Sequence, residues 1–427
     1  MAAKLNAKAY LAIFRVKPAL AFDAGCLLMR LYAYMMNIGT VAMLTMAGYS
    51  FLDAGLTSSI IAIATFVIAP RISKRIDERG QSRMIPLASG VALAGLAGLL
   101  GLVSVHAPTW SFFICAVFMG FLPNPQALAR ARWTYLIHSG RLGGNAPSLQ
   151  AMFSYEGVID DIGFMFGPAA SIALATAIAP VAGMLAGGVV YAVGAVILLL
   201  ARSTEPVPHE RTEPDSRGID TRAKPHRQSV IRETPVVRAL FAVMLFVGAF
   251  FSTYDAAIVA IVEELGEPTL ASGVLMMVSC LSMATGFVFG LLRLSFSTRL
   301  QLLLTALLAG GAYGCMFLVN SAQTLVVLSA VAALFYAPLL ITANATCEKA
   351  VSTERITEAI TWINAGMTCG MALGPTIGGF VIDIWGAVAG FDACSAMAIC
   401  VPLIALGAQP LLRRQRVSTC GSKRSLP

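Results

Sequence analysis

Only 12% of the 427 residues carry charge while 57% are hydrophobic, which is too much apolar material and too little charge for one soluble core. The net charge of +8 would suit a nucleic acid. The cations, however, fall in short polar breaks between apolar runs, a pattern of membrane topology that leaves no nucleic-acid partner.

The start, MAAKLNAKAYLAIFRVKPALAF, has a basic region before an apolar one, as a signal peptide does. Its apolar run is span-length and no compelling small-residue cleavage site precedes the next span, so it is expected to be retained. Twelve apolar stretches, each able to cross about 30 Å of hydrocarbon, are expected near 26–47, 53–70, 85–104, 110–130, 151–179, 182–201, 239–262, 271–293, 300–319, 324–345, 357–382 and 389–411. With the N-terminus cytoplasmic, every Lys and Arg except Arg30 lies on the cytoplasmic side or at its helix ends, while the outer loops hold Asp53, Glu263, Glu264 and Glu267. That bias predicts a multi-pass protein of the inner membrane with both termini cytoplasmic.

Residues 202–237 break the pattern with mixed charge and five prolines, as a flexible cytoplasmic linker would. The expected organisation is a six-span bundle over 1–201, the linker 202–237, a second six-span bundle over 238–412 and a cytoplasmic tail over 413–427. The halves echo each other. Gly55 and Gly273 open the second helix of each, Pro125 and Pro338 interrupt the fourth, and GFMFGPAAS at 163–171 returns as GMALGPTIGG at 370–379. Two such repeats rocking about a central site describe a transporter.

These residues resemble a known family. SKRIDERGQSR between spans 2 and 3 is similar to the conserved loop of the major facilitator superfamily at Asp77, Gly80 and Arg83, departing from it at Ser73 and Glu78. Gly163, Gly167 and Pro168 in span 5 resemble the signature of exporter-type members, with Ala170 and Ser171 as small substitutes; Gly370, Gly374, Pro375, Gly378 and Gly379 in span 11 match it in full. The resemblance implies an all-α membrane protein of twelve transmembrane helices in two pseudo-symmetric six-helix bundles, with Asp77, Gly80 and Arg83 as a gating loop.

Physically, the small residues let helix backbones approach and the prolines supply bends. Spans 5 and 11 are therefore expected to pack against partners from the opposite half and to act as hinges, with ordinary tight packing as the competing reading. A charge within a span costs about 2.5–3.5 kcal/mol at mid-membrane. Glu156, Asp160, Gly163 and Gly167 share one stripe of span 5, and Asp161 points away from it. Arg30 and Asp160 lie at similar depths, roughly 25 and 28 Å below the outer ends of their spans. They predict a charge pair of Arg30 with Glu156 or Asp160, the alternative being an Arg30 that snorkels to the interface.

Asp255 is the one deep charge of the second half. Together with Asp160 and Glu156 it is a proton-coupling candidate, because burial favours the neutral carboxyl. Tyr254, Tyr336, Trp362 and Asn364 are candidates to line a substrate cavity, or else core residues with satisfied polar tips. No catalytic or phosphate-binding motif and no metal spacing is visible, and His106, His138, His209 and His226 all fall in expected loops. Neither enzyme activity, cofactor nor metal is expected, and the nine cysteines read as small buried hydrophobes. The predicted function is proton-coupled export of a small-molecule substrate by a monomer in the lipid bilayer. Proton-linked uptake, or a non-transporting receptor or scaffold of the same fold, are the alternatives.

Overall fold

Proline and glycine set the helix boundaries. In the computed structural model, which describes residues 16–139, 149–207, 229–292, 297–352 and 355–412, every regular element is helical. In chain order the helices are α1 (Lys17–Met46), α2 (Phe51–Arg79), α3 (Gln81–Ser104), α4 (Trp110–Met119), α5 (Pro125–His138), α6 (Leu149–Ala177) and α7 (Ala182–Leu200). A short α8 (Val230–Glu233) precedes α9 (Pro235–Glu264), α10 (Thr269–Leu291), α11 (Thr298–Gly314), α12 (Ala322–Ala350), α13 (Ile356–Trp385) and α14 (Ala387–Gly407). Among the described residues ten helices are long and apolar enough to cross a membrane, and Trp110–Met119 and Ile162–Ala177 are shorter apolar segments. Large apolar side chains such as Leu87, Phe287 and Leu403 lie exposed on the outside of these helices, as a lipid-facing surface requires.

Several boundaries differ from expectation. The expected fourth span is two helices: the Asn124 side chain accepts the Gln126 and Ala127 amides at 3.0 and 3.2 Å, capping α5. Pro125 sits in the first turn of α5, where a missing N–H costs nothing, so it starts a helix, whereas Pro338 lies inside an uninterrupted α12. His138 closes α5 and is not a loop residue. The expected loop at 71–83 is almost wholly helical, its only break being Gly80 at φ +90°, a conformation glycine adopts without strain. Within the stretch expected as a linker, a 3₁₀ turn at Arg202–Thr204, α8 and the start of α9 at Pro235 are helical. The residues before 16, those at 208–228 (with His209 and His226) and the tail from 413 lie outside the described residues.

The chain forms two compact units, 1–48 with 60–217, and 49–59 with 218–427. In the first, α1 packs along α6 and α7, and α3 along α4 and α7. In the second, α9 packs along α13 and α14, and α11 along α12 and α14. One packing scheme is thus used twice, in the same chain order. The first turns of α2 belong to the second unit: the Asp383 carboxylate caps the amides of Phe51 and Leu52 at 2.9 and 2.7 Å, and Ser59 meets Thr376 at 2.7 Å.

Candidate functional site

The first unit holds a buried charge cluster. Arg30 is 2% exposed and donates from Nη2 to Glu156, itself 1% exposed, while its Nη1 lies 3.3 Å from Asp160 Oδ1. Asp160 also accepts from the Tyr34 hydroxyl at 3.3 Å and from the Gln126 amide, so three elements, α1, α5 and α6, converge on it. Arg30 therefore faces carboxylates inside the unit and does not reach out to an interface. The side chain of Asp161 is outside the described residues.

Glycines bring neighbouring helices close together in both units. In α6, a Cβ on Gly163 would come within 2.9 Å of the Tyr34 ring, and one on Gly167 within 2.8 Å of Tyr34 Cβ. In α13 the approach is closer and periodic. A Cβ on Gly366 would lie 2.5 Å from the Phe241 carbonyl oxygen, on Gly370 1.9 Å from that of Leu245, and on Gly374 2.6 Å from that of Ala249. Each glycine faces the residue 125 positions earlier, so α9 and α13 run parallel with backbone against backbone. The partners of Gly163, Gly167, Gly370 and Gly374 are in their own half, where a helix runs alongside over several turns, whereas Pro375 and Gly379 of α13 meet α2 from the first half of the chain, as expected of span 11. Gly55 and Gly379 lie equally close to neighbours in the second unit, at Pro375 and Phe51. Pro168 and Pro375 sit within continuous helices.

Asp255, in α9, is 7% exposed, and its Oδ1 has no hydrogen-bond partner among the described residues. Among the described residues no Lys or Arg acts on it. Three phenols stand within electrostatic range, those of Tyr254, Tyr313 and Tyr336, all buried; the Tyr254 hydroxyl faces Ser329, and those of Tyr313 and Tyr336 have no hydrogen-bond partner among the described residues. Tyr336 stacks on Phe251 at 4.9 Å, and Tyr313 lies edge-on to Tyr254 at 5.7 Å.

The remaining candidates are dispersed. Tyr254 is fully buried against Tyr313 and Phe391. Trp362 donates to Ser229 at 3.0 Å, at the start of α8, and Asn364 is exposed. Asp77 and Arg83 are exposed on either side of the buried Gly80. No cluster of metal-ligating side chains occurs among the described residues, and the cysteines described are free.

Sequence reasoning missed Asp23 and Arg132. Asp23 is 4% exposed and accepts the Trp133 indole N–H at 2.9 Å. Arg132, 1% exposed, donates to Gln81 at 2.7 Å, to the Ala201 carbonyl at 2.7 Å and to Thr204 at 2.9 Å, closing the end of α7. Pro18 in the first turn of α1 was the available signal: a helix starting there carries Asp23 on the same face as Arg30.

The Major Facilitator Superfamily profile matches residues 146–325 and 292–420. No curated protein matches the chain. Among solved structures, the nucleoside transporter NupG superposes with a TM-score of 0.66 at 13% identity, covering 92% of this chain and 99% of that one. The POT family transporter PepTSo gives 0.66 at 12% identity, covering 93% and 99%. A bacterial homologue of the human lysosomal transporter Spinster, in an inward-facing and occupied conformation, gives 0.65 at 12%, covering 93% and 96%. At these identities the structures share the fold alone. The profile match, the packing scheme shared by the two units and the apolar helices together show that the chain is an integral multi-pass membrane protein belonging to the major facilitator superfamily of transporters.

Proposed function

We propose that the protein is a proton-coupled secondary transporter of the inner membrane, exporting a small organic molecule by alternating access, with Asp255 as the proton-carrying group. The observation that carries this reading is the isolation of Asp255: a buried carboxyl without a counter-cation among the described residues, on the helix that α13 follows at backbone contact. A proton is the smallest ligand that removes such a charge, and exposing the carboxyl alternately to the two sides makes it a carrier. Arg30 with Glu156 and Asp160 serves as a charge lock in the first unit. Export, as opposed to uptake, is supported by the resemblance of Gly163, Gly167 and Pro168 to exporter-type members.

The test is a substrate screen in inverted vesicles with and without a proton gradient, followed by Asp255→Asn. Loss of proton-driven accumulation with exchange retained is expected. Coupling like that of the parent protein in the variant would move the proton site to Asp160 or Glu156. No movement of any compound would favour a receptor or scaffold.

A further inference from the structure

The first unit contains a buried carboxyl, that of Asp23, to which no cation is hydrogen-bonded among the described residues. Asp23 lies seven residues before Arg30 on α1, hence on the same face and about 10 Å along the axis. Its hydrogen-bond donors are neutral: the Trp133 indole from α5 at 2.9 Å and the Tyr155 hydroxyl from α6. Two charges act on it, the Glu156 carboxylate more strongly than the Arg30 guanidinium, and Glu156 Oε1 is buried without a hydrogen-bond partner among the described residues. Arg30 is committed to Glu156 and Asp160, and Arg132 to Gln81, Ala201 and Thr204. Arg130 acts on Glu156 and Asp160. Cys26, one turn away, is buried. With all three carboxyls ionised, Asp23 and Glu156 would face each other as anions with a single guanidinium bonded on the Glu156 side only, a costly excess charge in a low-dielectric interior.

We propose that Asp23 is a second proton-binding site, holding its proton while Arg30 stays with Glu156 and Asp160. The inference rests on the proton-coupled reading above. If Arg30 turns toward Asp23, the carboxyl O–H bond breaks, the proton passes to water on the open side, and the guanidinium takes its place. The cycle would then move one proton through each unit.

Trp133 is a built-in reporter, because its N–H bonds to the titrating group. The protein has four tryptophans, so replacing Trp110, Trp362 and Trp385 by Phe leaves Trp133 alone. In lipid nanodiscs its emission should shift sigmoidally with pH as Asp23 gains or loses its proton. The shift should vanish in Asp23→Asn, change midpoint in Glu156→Gln and persist in Asp255→Asn. A flat profile, a profile unchanged by Asp23→Asn, or a response to Na⁺ at constant pH instead of to protons would overturn the proposal. Should Asp23→Asn not fold, the infrared difference spectrum across the same pH range supplies the test: a protonated-carboxyl band that moves in Tyr155→Phe supports Asp23, and an unmoved band refutes it. A flat Trp133 profile would leave the Asp255 assignment standing. Conversely, coupling retained in Asp255→Asn would remove that assignment without touching the Trp133 titration.

Discussion

Replacing Gly370 by alanine adds one methyl group where the α9 backbone already stands. The new Cβ would lie 1.9 Å from the Leu245 carbonyl oxygen and 2.7 Å from the Ala249 nitrogen. Ordinary contact starts at 3.4 Å, so α13 must retreat by 3.4 − 1.9, about 1.5 Å, because a mid-helix carbonyl has no rotamer to move into. A gap of roughly 0.5–1 Å already forfeits a quarter to a half of each dispersion well, and the neighbouring Gly366 and Gly374 contacts open with it. Overpacking costs about 1–3 kcal/mol, and with backbone as the obstacle a loss near the top of that range is expected. Thermal unfolding in nanodiscs, followed by maleimide labelling of the buried Cys347 and Cys394 thiols, measures it. The control is Gly290→Ala in α10, where a Cβ meets nothing within 4 Å and stability should hold or rise by up to about 1 kcal/mol. Equal midpoints for the two variants would refute the seam argument. Gly374→Leu should further depress turnover while leaving substrate affinity intact, and normal transport by that variant would show that the seam plays no part in the cycle.

Two further outcomes are expected. Arg30→Gln leaves buried Glu156 without its guanidinium and should cost about 3–5 kcal/mol, most of it restored by adding Glu156→Gln; strictly additive losses in that double-mutant cycle would mean that the pair does not interact. Asp383→Ala uncaps α2 and should cost about 1 kcal/mol, with faster hydrogen exchange at the Phe51 and Leu52 amides, and unchanged exchange there would contradict the capping role.

What could be read from the sequence followed the strength of the physical constraint. An apolar helix in lipid satisfies its own backbone, so the spans were legible from composition, and the cost of a lone charge made Arg30 and the span 5 acids natural partners. The glycine spacing showed that a close contact exists but not with which helix. Gly370 and Gly374 meet carbonyls of Leu245 and Ala249, and a backbone atom carries no mark of its residue type. Asp23 escaped because the first span was drawn from residue 26, placing it in a polar flank. Tyr254 and Trp362 were legible as aromatic residues near a cavity, yet one is enclosed in its own unit and the other is held by Ser229, since rotation about a helix axis is decided by neighbours.

The length of α2 carries a consequence for depth in the membrane. Its residues from Phe51 to Pro70 are uncharged except for Asp53 in the first turn, and at 1.5 Å per residue these twenty rise about 30 Å, the thickness of the hydrocarbon layer. From Arg71 to Arg79 the same helix continues about 13 Å further, with Arg71, Lys74, Arg75, Asp77, Glu78 and Arg79 all exposed. Drawing this charged extension inward would cost about 2.5–3.5 kcal/mol for each charge reaching mid-membrane, and pushing α2 the other way would bury its polar first turn. The helix is thus stopped at both ends against sliding along the membrane normal, and the motion left to it is tilt and rotation in place.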